Sequence, residues 1–238
     1  MRLKNYTKLI TKVVRYNLKI IFAGKFFWFL LAAFAFFAFF MFQQAWNRSE
    51  TNEGSIYNML LFPCLLLIFY PVVFGIQNDE DNRILEIIFG IPNYRYKIWG
   101  VRMLMVYVAN YFIIVVFAYV ARILLYPVNI FEMAAQLIFP MLFFGNLAFM
   151  FSTVTRSGNG TAVIMIIIGL VFFIFLTGSV AIRNSFWNVF INPFNIPNDI
   201  HPVIWRDTIL KSRIFLLVGG IIWLMIGLLN LQKREKFV

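Results

Sequence analysis

Residues able to do bond chemistry are few in this chain. Cys64 is the only cysteine and lies within an apolar run, so an internal disulfide or a thiolate metal cluster is excluded. His201 is the only histidine and has no visible set of partner ligands, so it reads as a loop residue rather than a metal ligand, and no catalytic Ser/His set appears. A phosphate loop of the form GxxxxGK[ST] is absent, because Gly24-Lys25 lacks the upstream glycine and is followed by Phe26. The glycine-rich SGNGT at 157–161 carries no lysine and reads as a helix connector. Proton and sodium relays need carboxylates or histidines inside the membrane. The centres of the apolar runs hold none. Arg102 and Arg122 fall near run ends, where long side chains reach the interface. No residue is expected to be catalytic or to bind metal, and any energy the chain uses must come from another chain.

One polar stretch, 77–102 (QNDEDNRILEIIFGIPNYRYKIWGVR), then stands out between apolar runs. Asn78, Asp79, Glu80 and Asp81 read as a helix start, since side-chain oxygens satisfy orphan amides and carboxylates suit the positive helix end. Ile84, Ile87, Ile88 and Ile91 follow at i, i+3, i+4, i+7 and form one apolar face. Gly90 and Pro92 stop the helix, and Arg95, Lys97 and Arg102 precede the next run. The pattern predicts a short amphipathic helix, about 78–92, that docks another protein. A helix resting passively on the membrane surface has the same local pattern.

The elements around it follow from composition. Of the 238 residues 62% are hydrophobic and only 13% are charged, and mean hydropathy is +0.81, which places the chain among polytopic membrane proteins. The net charge of +11 sits at span ends, as anionic lipid and the positive-inside rule produce, so nucleic acid is not the expected partner. Residues 1–25 contain no acid. Lys4, Lys8, Lys12, Arg15 and Lys19 make one helical stripe against an apolar one, predicting an interfacial helix anchored on membrane lipids. Such a helix serves as a plain anchor or also touches a partner.

Six spans are predicted in the remaining domain, 26–238, at about 26–42, 56–76, 98–125, 133–154, 161–182 and 214–231. The fold class is therefore all-α, with a loop at 183–213 that is rich in Phe, Trp and Pro. Fifteen Lys and Arg lie on the side of the termini and the 77–102 stretch, against six on the other side, which predicts both termini in the cytoplasm.

These residues resemble the type-2 ATP-binding-cassette (ABC) exporter permeases, whose fold is the type V exporter fold. In that family the loop between spans two and three reads acidic, then Leu-Glu, an aliphatic run, Pro, and Arg three residues later. Asp79, Glu80 and Asp81 supply the acids here, Leu85-Glu86 the pair, Ile87, Ile88 and Ile91 the run, and Pro92, Arg95, Ile98 and Arg102 the rest. Arg83-Ile84 stands where the family often has Gly-Thr, and Gly100 falls one residue early. The TRSGNGTA turn and Asn192-Pro193-Phe194 are also similar to the family.

The resemblance implies a permease subunit, not itself an enzyme, in a bacterial inner membrane. It would pair with an identical or different second permease and bind two copies of a cytoplasmic ABC ATPase carrying ATP and Mg. Docking would fall to Asp81, Leu85, Glu86, Ile87, Ile88, Pro92 and Arg95 of the coupling helix. Phe186, Trp187, Pro193 and Phe194 would belong to a roof over the exit path. A scaffold that uses the same helix to recruit a soluble partner is the alternative.

Overall fold

The computed structural model describes residues 25–46, 51–81, 83–84, 90, 94–177 and 180–231. Six helical segments in it are long and apolar enough to cross a membrane, and no strand occurs among the described residues. In chain order the α-helices among the described residues include α1 (Phe26–Trp46), α2 (Glu53–Val73), α3 (Gly75–Asp81), α4 (Val101–Leu124), α5 (Ile130–Thr155), α6 (Gly158–Thr177), α7 (Val180–Arg183) and α8 (Pro202–Asn230). A short π-helical stretch, Arg95–Gly100, leads into α4. Spans alternate in direction, so the bundle has a turn end, holding the α3 and α5–α6 connections, and a loop end, holding residues 184–201.

Helix α5 is the centre. Its residues Phe143 to Met150 are all buried, as expected of a helix apolar on every side with neighbours all round. Helix α8 lies along it because small residues permit close approach. A Cβ on Gly219 would stand 2.8 Å from the Phe143 ring, and one on Gly227 would stand 2.7 Å from Phe149. In lipid the apolar surfaces gain little by leaving their solvent, so such close packing and buried polar contacts supply the association. Two of the polar contacts are Tyr107 Oη donating to Asn146 Oδ1 (2.6 Å) and Asn230 Nδ2 donating to the Thr153 carbonyl (2.6 Å). Helices α1 and α6 are peripheral and mostly exposed. The phenylalanines serve both environments: Phe34 and Phe39 are exposed, whereas Phe37 is buried and stacks on Phe117 at 4.8 Å.

Local chemistry sets the helix ends. Asn52 caps α2 by accepting from the Ser55 amide (2.8 Å), and Asn129 caps α5 through Glu132. His201, the lone histidine, caps α8, with Nδ1 accepting from the Val203 amide (3.3 Å) and Pro202 in the first turn. Arg156 ends α5 in the left-handed region, φ 56°. After it the glycine-rich turn docks against the α2–α3 joint, where the Gly158 amide donates to Gln77 Oε1 (2.6 Å). A Cβ on Gly158 would stand 2.3 Å from the Phe74 ring, so this glycine is required by packing, as befits a connector.

Two expected boundaries move. The last helix begins at Pro202 rather than near 214, which reduces the 183–213 loop to residues 184–201. Its 29 residues extend about 43 Å, more than the ~30 Å hydrocarbon core, so its first turns reach into the polar layer. Asn78, Asp79, Glu80 and Asp81 do not open a helix either. They close α3, which continues the direction of α2 beyond a break at Phe74. Arg83 then turns the chain with φ 54°.

Candidate functional site

A cleft of about 1120 Å3 opens between three of the helices. One wall is α2, from Asn58 to Phe69, a length of about 16 Å. Phe144 and Ala148 of α5 form the back, and Met165, Gly169 and Phe173 of α6 form the opposite wall. These sides are aromatic and aliphatic. The roof is the 184–201 loop and is polar, with Asn184, Asn188, Asn192, Asn195 and Asn198 recurring every three or four residues. Arg183 and Asp199 add one charge of each sign. An apolar slot beneath a row of amides suits an amphipathic molecule, its tail among the rings and its polar head against the asparagines.

Two of those asparagines build the roof. Asn188 Oδ1 accepts from the Phe190 amide (2.9 Å) and Asn192 Oδ1 from the Phe194 amide (3.0 Å), both side-chain-to-backbone turns. Asn188 Nδ2 donates to the Arg183 carbonyl (2.7 Å). Asn192 Nδ2 donates to the Gly54 carbonyl (2.8 Å) and Asn58 Oδ1 (3.0 Å), tying the roof to the start of α2.

The residues expected for an exit roof do lie in this loop, but they anchor it rather than line the cleft. Phe186 packs on Trp187, whose ring meets Phe215 of α8 at 5.0 Å. The Pro193 carbonyl accepts from Trp205 Nε1 (3.4 Å), and Phe194 packs against Tyr57. The cleft-facing asparagines were visible as a regular spacing that the loop's aromatic and proline content obscures.

Of the expected docking residues, Asp81 is exposed at the end of α3, and Arg95 begins the π-helical stretch. Leu85, Glu86, Ile87, Ile88 and Pro92 lie outside the described residues, as do Lys4, Lys8, Lys12, Arg15 and Lys19. The flanks of the segment expected to dock are described, and they meet. Asp79 of α3 and Arg102 of α4 form an ion pair, Nη1 to Oδ2 2.6 Å, with side chains 3% and 6% exposed. The Trp99 ring covers the guanidinium at 4.6 Å from its centroid. Arg102 therefore does not reach out to the interface but turns inward. The sequence signal was an acid and a base at the two ends of one polar interruption.

A second arginine is also buried. Arg213 of α8 is 5% exposed, placed by the helix that starts earlier than expected. Its partners are neutral: Gln136 Oε1 (2.8 Å), Tyr57 Oη and the Ile191 carbonyl (3.4 Å each). No cluster of three or more metal-ligating side chains occurs among the described residues. No family model, no curated protein and no solved structure matches the chain.

Proposed function

We propose that the chain is the membrane subunit of an ABC exporter, working beside a second permease subunit and driven by two copies of a separate cytoplasmic ATPase that hold ATP and Mg. The observation that carries this reading is mechanical continuity from the polar segment to the cleft. The buried Asp79–Arg102 pair ties the two flanks of segment 82–94 together, so a push on it acts on α3 and α4 as one body. Helix α2 continues from α3, forms a cleft wall, and at its far end holds the roof through Gly54 and Asn58.

Nucleotide-driven closure of the ATPase pair would tilt these helices as a rigid unit and change access to the cleft, binding energy biasing one of two packed arrangements. The Leu85–Glu86–Ile87–Ile88 run with Pro92 and Arg95 provides the contact with the ATPase. Lysines 4, 8, 12 and 19 with Arg15 hold the N-terminal segment on anionic lipid. The charge count supports a cytoplasmic side for the termini and the docking segment, and the family resemblance supports a bacterial inner membrane. The cleft receives the amphipathic substrate, and no residue of the chain breaks or forms a bond in it.

The test is recovery of the partner. Ile87→Asp or Ile88→Asp buries a carboxylate at the contact and should cut ATPase co-purification in mild detergent about tenfold or more, with membrane insertion unchanged. Undiminished recovery of an ATP-binding partner by both variants would overturn the docking role. A partner that binds no nucleotide would favour the scaffold reading.

A further inference from the structure

We propose that the groove between α5 and α8 at the loop end binds the phosphate group of an anionic membrane phospholipid, with Arg213 and Arg206 as its ligands. The inference does not depend on transport. Arg213 is buried, yet no carboxylate meets it among the described residues, and its Nη1 has no hydrogen-bond partner. A buried guanidinium held only by neutral acceptors keeps an unmatched charge in a low-dielectric setting.

The groove beside it encloses about 520 Å3 and is lined by Gln136 and Phe139 of α5 and by Val203, Arg206, Asp207 and Leu210 of α8, with Arg213 among them. The Phe139 ring lies 5.6 Å from the Arg213 guanidinium carbon and stiffens its placement. Asp207 is the one carboxylate among the lining residues, and it already pairs with Lys211 at 2.6 Å. The lining is therefore net cationic, and a bidentate phosphate matches the arginine fork.

Depth and surroundings favour a lipid as the source of that phosphate. Arg213 lies about 25 Å along the helix from Asn230, close to the thickness of the hydrocarbon core, so it stands near the boundary where lipid phosphates reside. Val203 and Leu210 in the groove and Ile204 next to them are 60–69% exposed, offering acyl chains an apolar surface beside the cationic spot.

The experiment uses the full chain, delipidated in dodecyl maltoside, titrated with phosphatidylglycerol, with diacylglycerol of the same chains, and with inorganic phosphate, and bound lipid counted by native mass spectrometry. Phosphatidylglycerol should bind saturably. Arg213→Gln should weaken it about tenfold and Arg206→Gln several-fold, the loss of charge-assisted hydrogen bonds. Diacylglycerol should bind more weakly and equally to all forms, and millimolar inorganic phosphate should not displace the lipid. Arg206 is exposed, so Arg206→Gln still reads the site if Arg213→Gln does not fold. Equal phosphatidylglycerol affinity in the variants that fold, or equal binding of diacylglycerol and phosphatidylglycerol, would overturn the proposal. Full displacement by inorganic phosphate would show a free-phosphate site and overturn the lipid assignment.

Discussion

Arg102 and Arg213 lie at opposite ends of one bundle, each about 5% exposed, and they are held in different ways. Arg102 has a carboxylate at 2.6 Å and an indole face over it. Its Nε is unpaired, but its charge is matched inside the chain. Among the described residues Arg213 meets three neutral acceptors and no acid. The first arrangement closes a joint between α3 and α4. The second leaves a cation open to something from outside the fold. Burial of a charge is thus not one device here, and the partner decides its use.

The largest expected effect tests the closed joint. Asp79→Ala or Arg102→Ala leaves one buried charge unmatched and should cost about 3–5 kcal/mol of stability, measured by thermal unfolding in detergent. The double change Asp79→Leu with Arg102→Met should recover most of that loss. A single-variant loss below about 1 kcal/mol would mean that the pair is not sealed from water.

Packing at the same end comes next. Gly158→Ala forces a Cβ against Phe74 and Gln77 at the root of α3, and should cost about 1–3 kcal/mol in the same assay. An unchanged melting temperature would mean that the turn can lift away from the joint.

At the open end Arg213→Met should cost less in lipid-free detergent than Arg102→Ala, about 1–2 kcal/mol, since only bonds to neutral groups are lost. A larger loss than at Arg102 would reverse the comparison. Asn192→Ala removes the tether from roof to α2 and should cost about 1 kcal/mol while speeding proteolysis within 184–201. The smallest effect has the opposite sign. Arg83 holds φ 54° at a position suited to glycine, so Arg83→Gly should raise stability by roughly 0.5 kcal/mol.

The six spans were legible because every lipid-facing residue must be apolar and every backbone amide must be paired within the helix. The start of α8 was not. Arg206, Asp207, Lys211 and Arg213 interrupt its hydropathy, although the helix continues through them into the polar layer. The His201-Pro202 pair was the signal for its true beginning.

The acids at 79–81 misled for a related reason. Carboxylates suit a helix N-terminus, but burial against Arg102 outweighs that preference for Asp79. Arg83 is instructive in retrospect. It stands where the resembling family often has glycine, and its left-handed backbone is what a glycine would adopt without strain. The cleft's walls could not be read from the sequence, because they come from three separate helices, α2, α5 and α6. Periodicity within one segment carries no information about which faces are left apart.

The central claim is that segment 78–95 receives force from an ATPase, and a photoreactive residue replacing Ile88 in the full chain, cross-linked in cells, tests it most directly. The account predicts one dominant adduct with an ATP-binding polypeptide, lost when Ile87→Asp is added. Adducts with lipid alone, or with a protein that binds no nucleotide, would contradict it.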